Sequence, residues 1–145
     1  MTESTRRPSR TRHFLWYHLP VILYAGLIIA ASSIPNLKTP EVRFLALDKL
    51  VHFIEYSLFA WITFRSFSSI GKRIPLNLAY LLTVLFVSVF AMADEYLQSF
   101  VPGRVMDVRD LVTDIGGAVL VATFFWLRAR RAESANRNVS SNFGH

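Results

Sequence analysis

The sequence predicts an all-α membrane protein with four transmembrane helices in an up-down bundle. Hydrophobic residues make up 52% of the 145 residues and charged residues only 18%, whereas about a quarter of a soluble domain is usually charged. The charges fall in clumps that separate long apolar runs. Runs of about 20 apolar residues are long enough to cross the roughly 30 Å hydrocarbon core of a bilayer.

The positions of the basic residues decide between a membrane and nucleic acid as the main partner. The net charge of +6 would suit nucleic acid, but four arginines precede the first apolar run and four follow the last. Basic ends that flank apolar runs are typical of membrane topology. We therefore expect a lipid bilayer, and not nucleic acid, as the partner. The chain has no cysteine, which excludes disulfide and thiolate chemistry.

The first span is predicted at about residues 14–34, after a disordered basic arm over residues 1–12. Pro20 is compatible with a helix start, because its missing N–H would be unpaired there. A signal peptide with cleavage after Ala30-Ala31-Ser32 is the alternative. The apolar core is long for that role and further spans follow, which favours a membrane anchor that stays in the protein.

The second span is predicted at about residues 49–69, with Asp48 as its N-cap. Three residues, His52, Glu55 and Arg65, interrupt the apolar pattern. The uncharged piece between them is too short to span a bilayer. The segment crosses only if His52 and Glu55 lie in the outer half and Arg65 snorkels to the other interface.

The third and fourth spans follow a basic turn at residues 71–75. We place the third span at about residues 75–98 and the fourth at about residues 108–127, joined through a Pro-Gly turn. The polar, basic segment 128–145 is predicted to be a disordered tail. The four-helix transmembrane domain then covers residues 13–127.

The distribution of lysine and arginine predicts the orientation. Of the 16 basic residues, 11 lie in the N-terminal arm, the region between the second and third spans, and the tail, and 5 lie in the two other loops. The richer side is cytoplasmic by the positive-inside rule. Both termini are therefore expected inside a multi-pass protein of the cell membrane, either a bacterial inner membrane or a plasma membrane.

An unusual polar stretch, residues 94–110, follows 18 residues without a charge. An acidic side chain within a membrane segment costs about 2.5–3.5 kcal/mol on insertion scales. These acids must therefore satisfy one another or serve a function. On the second helix, Asp48, His52 and Tyr56 are spaced by four residues and share a face.

The third and fourth helices carry matching polar stripes at the same depth. Asp94 and Gln98 are four residues apart, and the three aspartates that open the fourth helix are spaced by three and four. Gly116-Gly117-Ala118 is a small-residue patch that would let another helix approach closely. We expect the stripes to face one another. The candidate site residues are Asp48, Lys49, His52, Glu55, Tyr56, Asp94, Glu95, Gln98, Arg104, Asp107, Asp110 and Asp114.

These motifs resemble those of the VanZ-like membrane proteins. The resemblance rests on Asp48-Lys49-x-x-His52-Phe53-x-x-Tyr56, on Asp94-Glu95-x-x-Gln98-x-Phe100-x-Pro102-Gly103-Arg104, on Asp110 with a downstream glycine, and on Ser32-Ser33-Ile34-Pro35. It covers about residues 14–127. One departure is Asp114, since the family commonly has asparagine four residues after the aspartate of the fourth helix. The additional acid could change the affinity for a proton or cation.

Two classes of function fit the polar stretch. In the first, an outward-facing pocket of this cell-envelope protein binds or acts on a lipid-linked or cell-wall-type ligand, such as an envelope lipid or a cell-wall precursor. His52 and Glu95 are then the candidate catalytic acid–base residues. In the second, the protein is a non-catalytic scaffold or partner-binding module, and the polar cluster locks the helices together. The sequence leaves open whether a reaction is catalysed.

Arg104 has two interpretations, a bidentate pair with Asp107 or Asp110 and a clamp for an anionic head group. Glu55 is expected to pair with Lys49, His52 or a loop arginine. We predict no defined metal site, because no HxxH or HxxxH spacing is present, although one histidine among carboxylates would suit a hard or borderline cation. Four short spans without broken helices disfavour a transporter that works alone. The cofactor and oligomeric state are left open.

Overall fold

The computed structural model describes residues 9–35, 42–104 and 106–142, and these residues contain helices and no strand. The expectations for the first eight residues, the loop at residues 36–41, Val105 and the last three residues lie outside the described part of the chain. The helices are α1 (Arg10–Tyr17), α2 (Leu19–Ser32), α3 (Val42–Ser68), α4 (Leu76–Gln98) and α5 (Val108–Asn142), with a 3₁₀ turn at Gly71–Arg73.

Helices α1 and α2 form one nearly continuous segment that is interrupted at His18. Pro20 lies in the first turn of α2, where a proline costs no hydrogen bond within the helix. Ser9 caps α1, since its Oγ accepts a hydrogen bond from Arg12 N. The helical structure therefore begins at Arg10, four residues before the predicted span.

Helix α3 begins earlier than the sequence predicted. It starts at Val42, so Asp48 is inside the helix and the prediction that Asp48 is its N-cap was wrong. Apolar residues before Asp48 extend the helix by about two turns. At 27 residues and 1.5 Å per residue, α3 is about 40 Å long.

Helix α5 continues beyond Leu127, where the sequence predicted that the last span ends and a disordered tail begins. The added segment contains strong helix formers. Ion pairing also supports it, because Arg137 Nη2 lies 3.8 Å from Glu133 Oε2 one turn away. The Arg130 guanidinium lies 4.9 Å from the centre of the Trp126 ring, which joins the added segment to the apolar part of α5.

Three helical segments in the described residues are long and apolar enough to cross a membrane: Arg10–Ser32, Leu76–Gln98 and Val108–Arg137. The expected fourth, α3, is not among them. Its charged residues, including Glu55 and Arg65, interrupt the apolar pattern that the other three segments have. The described part of the fold is therefore all-helical with three candidate spans.

Helix α3 packs against α1, α2, α4 and α5, and this central position explains its composition. Its buried face carries Tyr56, Phe59 and Ala60, which form one core with residues from α2, α4 and α5. His52 and Thr63 are buried on the same helix. His52 and Tyr56 contact other helices through their polar atoms, while apolar side chains such as Ile54 are exposed.

Contacts at the two ends show that successive long helices run antiparallel. Ser32 at the end of α2 contacts Asp94 near the end of α4, and Lys49 near the start of α3 contacts Asp110 at the start of α5. We call this the polar end. At the opposite end, His18 Nδ1 lies 2.7 Å from the Oγ of Ser66 near the end of α3.

Gly117 marks a close approach of α3 and α5. A Cβ atom on Gly117 would lie 2.7 Å from the Phe53 backbone oxygen and 2.8 Å from Ser57 Oγ, while one on Gly116 would have no neighbour within 4 Å. Ala118 beside it is fully buried. The predicted small-residue patch is therefore a helix contact made by Gly117 and Ala118, and Gly116 faces outward.

Candidate functional site

The polar end brings the predicted stripes of α3, α4 and α5 together in two adjoining groups. The first, the Asp94 network, consists of Ser32, Tyr56, Asp94, Gln98 and Arg104. The second, the acidic cluster, consists of Asp48, Lys49, His52, Glu95, Asp107, Asp110 and Asp114. All the predicted site residues except Glu55 belong to one of these groups.

The Asp94 network joins three helices through one carboxylate oxygen. Asp94 Oδ2 accepts hydrogen bonds from Ser32 Oγ at 2.8 Å, Tyr56 Oη at 3.1 Å and Gln98 Nε2 at 3.2 Å. Tyr56 is fully buried and Asp94 is 3% exposed. Three donors on one anionic oxygen compensate for much of its lost hydration. The other oxygen, Asp94 Oδ1, is buried without a partner among the described residues.

Arg104 extends this network from the loop between α4 and α5. Its Nη1 donates to Gln98 Oε1 at 3.0 Å and its Nη2 to the Ala31 carbonyl at 3.5 Å. The predicted pair with Asp107 or Asp110 is not formed, because Lys49 contacts both of those carboxylates. Arg104 Nε is buried without a hydrogen-bond partner in the described part of the chain. The preceding Pro-Gly turn places it there, with Gly103 at φ +80°.

Lys49 is the cation of the acidic cluster. Its Nζ donates to Asp110 Oδ1 and lies 3.6 Å from Asp107 Oδ2. Asp107 caps α5, because its Oδ1 accepts a hydrogen bond from Arg109 N at 2.8 Å. That hydrogen bond, together with the charge of Lys49, lowers the pKa of Asp107. Lys49 thus holds the start of α5 against α3.

His52 and Asp114 form a buried pair between α3 and α5. His52 Nδ1 lies 3.1 Å from Asp114 Oδ1, and the two side chains are 10% and 2% exposed. A carboxylate on one ring nitrogen favours the tautomer that carries its proton there, which leaves Nε2 available as an acceptor. Asp114 is therefore the partner that orients His52.

Glu95 is almost completely buried in α4, with 1% exposure. Its Oε1 accepts a hydrogen bond from Asp107 N, while Oε2 is buried without a partner among the described residues. It interacts electrostatically with His52 and Asp110. Oε1 thus positions the start of α5, whereas Oε2 is removed from water and has no donor among the described residues.

Glu55 lies outside both groups. Its backbone oxygen accepts a hydrogen bond from Tyr24 Oη at 3.3 Å. Its half-buried carboxylate interacts electrostatically with His52 and Arg104. The described residues give it no ion pair, so the expected pairing with Lys49, His52 or a loop arginine is replaced by these weaker interactions.

Three residues of the acidic cluster could hold a metal ion. One ligand atom from each of Asp48, His52 and Asp110 lies within 4.8 Å of the others. Asp48 is exposed, whereas His52 and Asp110 are buried. The sequence spacing alone did not indicate this group, because its third member comes from α5, more than 50 residues along the chain.

The sequence also missed the role of the α2 end. Ser32 was recognised as part of a turn motif but not as a partner of Asp94. The signal was the serine pair that ends an apolar helix at the depth of the acids.

A cavity of about 300 Å³ lies at the opposite end of the bundle, between α3 and α5. It is lined mainly by aromatic residues and arginines, among them Trp61, Arg65 and Arg128.

Three apolar helices around a buried polar end define a helical membrane protein. The VanZ/LLP1 family model matches residues 4–129, and the chain belongs to that family. No curated protein and no solved structure matched significantly.

Proposed function

We propose that α3 is the fourth span and that the polar end faces outward from a cell membrane, with both termini in the cytoplasm. The length of α3, about 40 Å, is sufficient. Lys49, His52 and Tyr56 contact α4 or α5, and Arg65 lies over the Tyr17 ring of α1, so these polar side chains need not meet lipid. The basic residues support the orientation, since 11 of the 16 lie on the proposed cytoplasmic side.

Single cysteines test this topology directly, because the natural chain has none. Ser99→Cys lies at the polar end and Ser134→Cys on the distal part of α5, and both positions are exposed. A membrane-impermeant maleimide should label Ser99→Cys in intact cells and Ser134→Cys only after lysis. Labelling of Ser134→Cys in intact cells would refute the proposed orientation.

We propose further that the polar end binds the polar head group of a lipid-linked or cell-wall-type ligand, such as an envelope lipid or a cell-wall precursor. The observation that carries the proposal is a group of three atoms at this end that are buried without a hydrogen-bond partner among the described residues: Asp94 Oδ1, Glu95 Oε2 and Arg104 Nε. Buried polar atoms are nearly always hydrogen-bonded, and an unpaired one costs about 1–3 kcal/mol. Ligand hydroxyls or amides would satisfy the acids, and an acceptor would satisfy Arg104.

The charge balance favours a binding site over a purely structural cluster. Asp94, Glu95, Asp110 and Asp114 are all at most 8% exposed. Lys49 makes ion pairs with only one of these four acids. Removing an ion from water costs several kcal/mol, and even well-paired buried ions stabilise proteins poorly. A cluster selected only for stability would not be expected to bury so many carboxylates around so few cations.

His52 and Glu95 are the candidates for acid–base work within this proposal. Asp114 holds Nδ1 of His52, so the other ring nitrogen is the atom available to a ligand. Glu95 offers its free Oε2. A histidine and a carboxylate in such positions can transfer protons to a bound phosphoester or acyl group.

An interhelical lock is the second candidate function. The Asp94 network favours it, because one carboxylate ties α4 to α2 and α3 through Ser32 and Tyr56. Under this alternative, the protein is a non-catalytic scaffold or partner-binding module, and its polar end maintains the helix arrangement.

Glu95→Gln separates the two functions. Glutamine keeps an acceptor for Asp107 N but removes a buried negative charge. The binding function predicts an unchanged or higher melting temperature in nanodiscs, together with loss of complementation in a deletion strain under cell-envelope stress. The lock predicts a lower melting temperature and reduced abundance. Glu133→Gln is the control, since this exposed residue on α5 should change neither readout.

A further inference from the structure

We propose that Asp48, His52 and Asp110 bind a divalent transition-metal cation, such as Mn²⁺ or Zn²⁺, at the polar end. The inference goes beyond the proposed function: with the ion bound, the free ring nitrogen of His52 is a metal ligand and not a proton-transfer group, while the unpartnered atoms of Asp94, Glu95 and Arg104 still bind the head group. One imidazole nitrogen and two carboxylate oxygens form a donor set that suits such cations better than Mg²⁺ or Ca²⁺, which prefer oxygen alone.

The donor geometry is close to what one ion requires. The three ligand atoms lie within 4.8 Å of one another. Donors that share an ion at about 2.0–2.2 Å are at most about 4.4 Å apart, so the side chains need to move by less than about 1 Å. Asp48 is exposed and provides an entry path from solvent, while His52 and Asp110 supply the buried side of the site.

The contact between His52 and Asp114 is the arrangement found behind metal-bound histidines. Asp114 Oδ1 lies 3.1 Å from His52 Nδ1, and a carboxylate in that place fixes the tautomer and orients the ring toward a metal. The other ring nitrogen then remains for the ion. Asp114 is 1% exposed. It would orient His52 from behind and would not bind the ion itself.

The surrounding charges also favour a cation. Besides Asp48 and Asp110, carboxylates of Glu55, Glu95, Asp107 and Asp114 lie near the site. Among the described residues, Glu95 has a buried oxygen without a hydrogen-bond partner. The nearby cation is Lys49, which contacts Asp110 and Asp107. Lys49 therefore competes with the metal for Asp110. A bound ion would offset the excess of acids and allow an anionic head group to approach.

Two neighbouring substitutions should change the affinity in opposite directions. Asp48→Asn replaces a carboxylate ligand by a neutral amide and should weaken Mn²⁺ binding at least about tenfold, the lower bound for loss of an outer-shell partner. Lys49→Gln removes the competing ammonium and should tighten binding about three- to tenfold, as expected for a unit charge within several ångströms in a water-like dielectric. Asp48 is exposed, so its substitution should leave the fold intact.

The experiment is a titration of the full chain in nanodiscs, purified through a tag without histidine. The electron paramagnetic resonance signal of free Mn²⁺ reports binding, and Zn²⁺ is added as a competitor. We expect one Mn²⁺ per chain, displacement by Zn²⁺, and the opposite shifts for Asp48→Asn and Lys49→Gln. Glu133→Gln serves as the carboxylate control and should match the natural chain.

Three results would overturn the cation site: no loss of the free Mn²⁺ signal with the natural chain, equal affinities for Asp48→Asn and Glu133→Gln, or weaker binding by Lys49→Gln. None of them bears on the envelope ligand. That proposal is tested by the Glu95→Gln phenotype, so the two can fail separately.

Discussion

Replacing Gly117 by alanine should destabilise the bundle, whereas the same change at Gly116 should not. The new Cβ at position 117 would lie 2.7 Å from the Phe53 backbone oxygen, while the one at position 116 would meet nothing within 4 Å. A backbone oxygen in a helix cannot move out of the way as the end of a flexible side chain can. The helices must therefore separate, or α5 must shift along α3.

The variant at the neighbouring glycine, Gly116→Ala, isolates the cost of overpacking at position 117. Both substitutions gain about 1 kcal/mol of helix propensity. Only Gly117→Ala carries the cost of overpacking, about 1–3 kcal/mol. The two variants should therefore differ by about 1–3 kcal/mol in the free energy of unfolding. For a chain of this size, 1 kcal/mol corresponds to about 2–4 °C. The melting temperature of Gly117→Ala should therefore be about 2–12 °C below that of Gly116→Ala.

The assay is a thermal melt of both variants in the same detergent or nanodisc preparation, monitored by intrinsic tryptophan fluorescence. Gly116→Ala should melt at or slightly above the temperature of the natural chain. Equal melting temperatures for the two alanine variants would refute the close approach of α3 and α5. A lower value for Gly116→Ala would instead place that residue at a helix interface.

Three further predictions concern the polar end. Asp94→Ala should lower the free energy of unfolding by about 3 kcal/mol or more, since it removes the acceptor that three side-chain donors share, the buried Tyr56 hydroxyl among them. Tyr56→Phe should cost about 1.5–3 kcal/mol, because it removes one of those bonds to a charged acceptor. Equal losses for the two variants in a denaturant series would contradict the shared acceptor. Asp107→Ala should cost about 0.5–2 kcal/mol as the loss of an N-cap. The fold lowers the pKa of Asp107. The charged carboxylate therefore contributes stability at pH values above its unfolded pKa of about 3.9. This contribution disappears as the pH falls through the lower pKa of the folded state. Melts at several pH values should therefore show a gap between the natural chain and Asp107→Ala that is constant near neutral pH and shrinks below about pH 4.

Much of the helical architecture could be predicted from the sequence. Apolar runs of about 20 residues and clumped charges specify the helices through hydrophobicity alone. The four-residue spacing of Asp94 and Gln98 placed them on one face, and in the structure they share a hydrogen bond. The motifs were also sufficient for the resemblance to VanZ-like proteins, which the VanZ/LLP1 match confirms.

The start of α3 and the extent of α5 were decided by local energetics that hydropathy does not capture. Asp48 has the residue type of an N-cap, but apolar residues before it continue the helix back to Val42. Beyond Leu127, helix propensity continues α5 after the apolar pattern has ended.

Partner choice at the polar end was decided only by the tertiary structure. The spacing of residues fixes which side chains share a face of one helix, but not the rotation of that helix against its neighbours. Arg104 was a predicted partner for Asp110, but the packing of α3 against α5 gives Asp110 to Lys49. The depth of Ser32 at the end of α2 likewise makes it a partner of Asp94. Sequence determines the helices and their polar faces because these depend on local periodicity, whereas contacts between distant segments depend on how the whole bundle packs.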